Sequence, residues 1–453
     1  MTETSTRPVP AADPPPPARS LSVKRRRFLT KLSVVIAGGM FIDGFILGST
    51  GVVMPAISED LGLSSTGEGL IAAAALLGIF LGGPIGGYLA DRFGRKSMFT
   101  IDLALFLICS VGQFFVTEAW QLVVVRLVMG LAIGADYSIG WPLLAEFAPA
   151  RLRGRLLAVQ EVAWYVGYLI SYAAGYVLIS STSVSWTVVL GLSTVPTVIV
   201  LLLRLGTPES PRWLMSKGRT EEATALADEY LEEEDQRDLH TPAPRTEGGF
   251  GRLFSPEYRK ATIFVSVFWV CNVTPYFAIG AFAPTVLEHL GIKDGLTGAL
   301  AINGLVVIGS MVSVLLIERV GRRKLAVPPF WISTVALVVV AFFSGASATL
   351  VLVCFLVFSL VNAASTALSG VYPGEVFPTE IRGAGVGFAT AVSRVGAAAG
   401  TFLLPLSVDS LGTSATMLIA AAISLIGGIV SHRLAPETKG LTLSQACAPT
   451  RSA

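Results

Sequence analysis

The sequence predicts an all-α membrane protein: twelve transmembrane helices in two pseudo-symmetric six-helix bundles. Three observations predict it. Only 14% of the 453 residues are charged and 53% are hydrophobic, whereas a soluble domain carries about 25% charge. Apolar windows of spanning length, about 20 residues for about 30 Å of hydrocarbon, occur twelve times: at 32–55, 68–90, 97–116, 121–148, 155–180, 186–205, 260–288, 297–317, 326–344, 349–374, 383–407 and 412–433. Short motifs recur at nearly one offset. DRFGR at 91–95 matches ERVGR at 318–322, EFAPARLRG at 146–154 matches EVFPTEIRG at 375–383, and TPES at 207–210 matches APET at 435–438, at offsets of 227, 229 and 228 residues. Parallel halves of this kind place a substrate site at mid-membrane between them.

Taken in order, residues 1–20 are rich in Pro, Ala, Ser and Thr, a composition expected to be disordered. KRRR at 24–27 and the apolar run after it imitate a signal peptide, but the run exceeds 20 residues and no small-residue cleavage site follows. It is read as a retained first helix. The loops after spans 1, 3, 5, 9 and 11 lack Lys and Arg, and the loop after span 7 has only Lys293. The alternate loops read DRFGRK (91–96), RLRGR (151–155), ERVGRRK (318–324) and TEIRG (379–383). The positive-inside bias then places both termini in the cytoplasm, for a multi-pass protein of the cell inner (plasma) membrane. The expected organisation is a cytoplasmic amino tail (1–31), an N-terminal bundle (32–205), a linker loop (206–259), a C-terminal bundle (260–434) and a carboxyl tail (435–453). In the linker, residues 220–238 read as a solvated helix capped by Thr220. Glycines four residues apart, such as Gly78, Gly82 and Gly86 or Gly130 and Gly134, suit close helix packing.

Several function classes drop out. A net charge of +2 gives no footprint for nucleic acid, and the four cysteines and three histidines are dispersed without metal-ligand or disulfide spacing. There is no nucleophile–base constellation and no phosphate-binding glycine loop, so the chain is not read as an enzyme. The expected partners are a small-molecule substrate and the lipid bilayer, with the chain acting as a monomer. No cofactor is expected beyond the proton as coupling ion.

Ionisable residues inside spans are few: Asp43, Asp102, Arg126, Asp136, Glu161 and Arg394. Such residues face a cavity or a partner and are functional candidates by default. Asp43, half-way along span 1, is the first candidate for proton coupling, the alternative being a fixed pair with Arg126 or an Asn. Asp136 lies ten residues beyond Arg126 on span 4, about 15 Å along the helix, and is a second candidate for protonation or substrate contact. Glu161 begins a stripe with Trp164 or Tyr165, Tyr168 and Tyr172 that suits a ring-bearing ligand or simple packing. Arg394 suits a substrate carboxylate or phosphate, or could neutralise Glu161 or Asp136. Asn362, Ser365, Ser369 and Tyr372 make a polar stripe on span 10.

GYLADRFGRK (87–96), RLVMG (126–130), PESPRWL (208–214), ERVGRRK (318–324) and PETKG (436–440) resemble the signature motifs of the major facilitator superfamily, specifically its sugar porter branch. The resemblance covers essentially the whole membrane region and implies alternating access between two bundles. It implies that Asp91, Arg95, Glu146 and Arg153, with Glu318, Arg322, Glu375 and Arg382, form ion pairs that hold one end shut. Rearranging such partly desolvated pairs can bias a two-state rocking motion. It also implies that Arg126 neighbours the proton-linked acid of span 1. The usual span 5 Gln of sugar porters falls on Glu161, preceded by Gln160, and their span 7 Gln pair falls near Cys271 and Asn272. FIDGFILG, GADYSIGWPLLAEF and NVTPYFAIGAFAP look more like the adjoining bacterial metabolite:proton symporters. The expected substrate class is therefore an organic acid, polyol or sugar. The expected function is secondary active transport by proton symport, the alternative being proton-coupled export of a drug-like or natural-product compound.

Overall fold

The computed structural model describes residues 22–181, 184–240, 249–289, 295–343 and 348–447. The first half contains α1 (Val23–Leu61), α2 (Ser65–Phe93), α3 (Arg95–Gly112), α4 (Ala119–Phe147), α5 (Ala150–Ser181), α6 (Trp186–Gly191) and α7 (Thr194–Arg204). The linker carries α8 (Pro211–Ser216), α9 (Thr220–Tyr230) and α10 (Glu233–His240). The second half contains α11 (Arg259–His289), α12 (Gly295–Val320), α13 (Arg322–Phe343), α14 (Ala348–Thr366), α15 (Leu368–Val376) and α16 (Thr379–Leu434), followed by the short α17 (Leu443–Ala446). α16 carries two spans divided at Gly412, whose φ of 81° is non-helical. Among the described residues ten segments are long and apolar enough to cross a membrane. α11 and the part of α16 before Gly412 stand in the places of spans 7 and 11 and complete the twelve.

Local chemistry sets the helix ends. Ser22 accepts a hydrogen bond from the Arg25 amide at 3.3 Å, so α1 begins at Val23, well before the apolar run, and the KRRR stretch is helical. The expected disorder of residues 1–20 lies outside the described residues. α2 and α3 meet at Gly94 (φ 107°), and α12 and α13 meet at Gly321 (φ 95°), the left-handed region that favours glycine. At each joint a distant glutamate caps the next helix. Glu209 accepts from the Arg95 and Lys96 amides at 3.0 and 3.2 Å, and Glu437 accepts from those of Arg322 and Arg323 at 3.0 and 3.1 Å. These are the glutamates of PESPRWL and PETKG, and they satisfy helix-start amides that lack an internal partner. The duplicated motifs are therefore duplicated caps.

Three expected elements differ. Span 6 is broken between α6 and α7, with Pro196 in the first turn of α7, where its missing amide proton costs nothing. Span 10 is interrupted at Ala367 between α14 and α15. The single linker helix is two helices. The chain turns extended at Leu231, which is 1% exposed, and Gln236 Nε2 donates to the Ala227 and Leu231 carbonyls at 3.0 and 3.1 Å. Burying Leu231 and satisfying the end of α9 outweigh continuation. Arg219, not Thr220, occupies the cap position of α9, and no side chain caps it.

α1 packs on α5, α2 on α4 and α11 on α16. A Cβ at Gly78 would fall 2.2 Å from the Leu127 carbonyl oxygen, so the glycine stripe sets the α2–α4 approach. The halves meet where α2 crosses α16 and α5 crosses α12. At the first crossing a Cβ on Gly387 would sit 2.1 Å from the Gly83 carbonyl oxygen. The outer faces carry exposed Ile108, Phe115 and Val335, whereas Arg95, Arg153, Arg322 and Arg382 are buried. An apolar outside with charges inside is what a bilayer solvent selects.

Candidate functional site

Three groups of side chains stand out, two of them at the contact between the halves and one within the first half. The first is a central cavity. From one half come Tyr137 and Trp141 of α4 with Glu161, Trp164 and Tyr165 of α5. From the other come Trp269, Val273 and Tyr276 of α11, Thr366 of α14 and Arg394 of α16. Tyr137 stacks on Trp141 at 5.2 Å between ring centroids, and Trp141 meets Trp269 edge-on at 5.6 Å across the halves. The walls are aromatic, and the lining holds one carboxyl group, Glu161, and one guanidinium, Arg394. No ion pair joins them, and the one hydrogen bond of Arg394 among the described residues is Nε to Ser393 Oγ at 3.3 Å.

Of the other expected substrate residues, Tyr165 lines the cavity and Tyr168 stacks behind it on Trp164 at 5.7 Å. Gln160 is fully buried and donates to Ser33 Oγ at 3.3 Å and to the Leu156 carbonyl at 2.9 Å. Asn272 donates to Ser365 Oγ at 3.0 Å and accepts from Thr366 Oγ1, and Asn362 donates to the Asn272 carbonyl at 3.1 Å. Thr366 carries that network to the cavity wall, while the two asparagines stand behind it.

The second group is a buried acidic cluster. Asp43 on α1 is 0% exposed, and among the described residues neither of its carboxylate oxygens has a hydrogen-bond partner. Arg204, at the end of α7, donates to Asp136 Oδ1 at 2.8 Å, to Asp102 Oδ1 at 3.0 Å and to the Phe99 carbonyl at 2.6 Å. Asp43 lies within the electrostatic reach of Asp136, Asp102, Arg204 and, from the cavity, Arg394. Arg126 is elsewhere. It donates to Thr50 Oγ1 and, at 3.1 Å, to the Ile71 carbonyl. Thr50 is seven residues beyond Asp43, about 10.5 Å along α1, so the fixed Asp43–Arg126 pair is not formed. Sequence reasoning missed Arg204. Its signal was an arginine inside LLLRLG, which reads as a charge at the membrane edge.

Gly39, one turn before Asp43, makes room for this pair. A Cβ there would fall 2.4 Å from Asp136 Oδ2 and 2.6 Å from Arg204 Nη2. Gly39→Ala is expected to displace the pair, costing about 1–3 kcal/mol as overpacking does. A lowered melting temperature and slowed transport in the purified variant check this, and wild-type values for both would contradict it.

The third group closes the end of the bundle that carries the basic loops. Arg95 pairs with Asp91 at 2.9 Å and Glu146 at 3.4 Å, and donates to the Thr379 carbonyl of the other half at 2.9 Å. Arg382 crosses to Glu146 at 2.5 Å, and Asp91 accepts from the Gly383 and Ala384 amides at 3.2 and 2.8 Å. In the second half Arg322 pairs with Glu318 at 2.8 Å and Glu375 at 3.1 Å, while Glu318 accepts from the Arg155 amide at 2.9 Å. Arg153 breaks the symmetry. It turns to Asp235 of α10 at 3.3 Å and to the Leu441 carbonyl at 3.0 Å. Asp238 of the same helix holds Arg212 at 2.7 Å and Thr442 Oγ1 at 2.8 Å. α10 thus ties the carboxyl tail to the first half.

Burial, the largest cause, pushes the Asp235 carboxyl up from 3.8 to about 6 against the pull of Arg153 and Arg212. A folded pKa above the free value means that the closed clasp binds a proton its open form lacks. Its stability therefore rises as pH falls through about 6 and is lost as pH climbs above it. Linkage gives about 1.4 kcal/mol, or about tenfold, between pH 7 and pH 5. Amide exchange across α10, corrected for intrinsic rates, is expected to slow by that factor, and Asp235→Asn to remove the dependence. Exchange that is flat or accelerates with acid would contradict it.

Comparisons with known proteins place this arrangement. A family model described as sugar (and other) transporter matches residues 32–447. The chain is 38% identical over 428 residues to the inner membrane metabolite transport protein YgcS of Escherichia coli (strain K12), covering 94% of this chain and 96% of that protein. It is 28% identical to the arabinose-proton symporter of Bacillus subtilis (strain 168), covering 91% and 94%. The fold is similar to a solved structure of the major facilitator superfamily proton:xylose symporter XylE bound to 6-bromo-6-deoxy-D-glucose, with a TM-score of 0.81 and 21% identity over 93% of this chain and 99% of that one. These likenesses are to transporters, not enzymes, and none supports the exporter alternative.

Proposed function

This chain belongs to the sugar (and other) transporter family of the major facilitator superfamily, and from that premise we propose that it imports a small polyhydroxylated metabolite by proton symport. The observation that carries the proposal is Asp43, a buried carboxyl with no partner, within electrostatic reach of an arginine in the central cavity. A carboxylate ion at that depth is costly, whereas the neutral acid is at home there. Asp43 takes its proton while the cavity faces outward. It releases the proton once the basic end opens and water reaches it. Arg204 holds both Asp136 and Asp102 beside it, and Arg126 anchors α1 to α4 through Thr50.

The halves 32–205 and 260–434 rock as bodies about the cavity, joined by the 206–259 linker. Asp91, Arg95, Glu146, Glu318, Arg322, Glu375 and Arg382 hold the basic end closed, with Arg153 acting through the clasp. The basic loops and both termini face the cytoplasm of a cell whose inner (plasma) membrane the chain spans. One chain suffices, with the proton as coupling ion and no other cofactor. The test is uptake of D-xylose, L-arabinose, myo-inositol and D-gluconate by proteoliposomes under an inward proton gradient. Accumulation of at least one, abolished by a protonophore, is expected. Uptake indifferent to the gradient would overturn the proposal.

A further inference from the structure

Among the described buried guanidiniums of the two bundles, one stands out by having no acceptor on a terminal nitrogen. Arg95, Arg322 and Arg382 pair with carboxylates, Arg204 holds two of them, and Arg126 holds a hydroxyl and a carbonyl. Arg394 is 7% exposed, lines the cavity, and among the described residues has no carboxylate within ion-pair distance and no acceptor for either terminal nitrogen. A buried charge is retained only where something answers it. Glu161 shares the cavity and lies in the field of Arg394 but beyond ion-pair distance, and among the described residues no hydrogen bond engages it.

We propose that the substrate is a sugar acid, an aldonate or uronate, whose carboxylate docks on the Arg394 fork while Glu161 takes its hydroxyls. The inference rests on the transport reading above and narrows its substrate class. A planar guanidinium matches a carboxylate with two parallel hydrogen bonds. A carboxyl group opposite it accepts from neighbouring hydroxyls, and Trp141, Trp269 and Tyr165 supply flat walls for the carbon skeleton. The arrangement also explains coupling. Asp43 and Glu161 both lie in the field of the same arginine. A substrate carboxylate on the Arg394 fork offsets that field and adds a like charge nearby, which favours the neutral form of Asp43, so acid and proton travel together.

The experiment is binding of D-gluconate and D-glucuronate against D-glucose and D-glucitol, read by calorimetry or thermal shift on the purified full chain, for wild type, Arg394→Gln and Arg394→Lys. At least one acid is expected to bind tenfold or more tightly than its neutral analogue at pH 6, and less tightly at pH 8. Arg394→Gln should erase the preference and Arg394→Lys should keep part of it. Neutral sugars binding as tightly as the acids, or a preference unchanged in Arg394→Gln, overturns the assignment. Proton-driven uptake of a neutral sugar would sink this inference yet leave the transport reading standing. If Arg394→Gln fails to fold, the wild-type acid-to-neutral ratio and its pH dependence decide alone.

Discussion

Asp43→Asn is expected to exchange substrate across a membrane at near the wild-type rate and to accumulate none. An inward gradient of one pH unit is worth about 1.36 kcal/mol, which sustains about tenfold accumulation at one proton per substrate. The variant should settle at a ratio of one under the same gradient. Asparagine is nearly isosteric and permanently neutral, so it mimics the protonated acid in a pocket where Asp43 is fully buried without a partner. Packing is preserved and only the titration is removed. Counterflow with labelled substrate separates the two activities. Undiminished accumulation in Asp43→Asn would move the proton site to Asp136 or Glu161.

Glu146→Gln is expected to shift the conformational equilibrium toward the state open at the basic end. Glu146 is the hub of that closure, holding Arg95 of its own half and Arg382 of the other, and all three side chains are at most 1% exposed. Removing one partner from a buried ion pair costs about 3–5 kcal/mol. Here the chain can relieve the loss by separating the halves rather than unfolding. That is a population shift of two or more orders of magnitude, since about 5.5 kcal/mol moves a two-state ratio about 10⁴-fold. A cysteine at Ala384, 2% exposed beside Asp91, placed in a chain whose four native cysteines are replaced, reports the opening through its alkylation rate. Equal rates with and without Glu146→Gln would deny the hub a gating role.

Much of the fold was legible because bilayer thickness imposes its length on apolar runs and loop charge marks alternate turns. Duplicated motifs exposed the two halves. The break at Leu231 was hidden, because it depends on which leucine the core needs and on a glutamine that caps from five and nine residues away. In the candidate site, isolated charges announced themselves by their cost, so Asp43, Asp136, Glu161 and Arg394 stood out. Their pairing did not. Arg204 closes on Asp136 and Asp102 from a helix end that looks topogenic, while Arg126 goes to Thr50. Trp141 and Trp269 read as ordinary membrane aromatics, because only the approach of the halves turns them toward one cavity. Asn272 and Asn362 occupy each other, which no spacing in the sequence reveals.

The most direct measurement is proton movement coupled to substrate flux. Proteoliposomes containing a pH-sensitive dye, with no initial pH gradient, receive a transported substrate from outside. Substrate-dependent acidification of the lumen in wild type, absent in Asp43→Asn although substrate still enters, is the predicted result. Substrate entry without acidification in wild type would contradict the account.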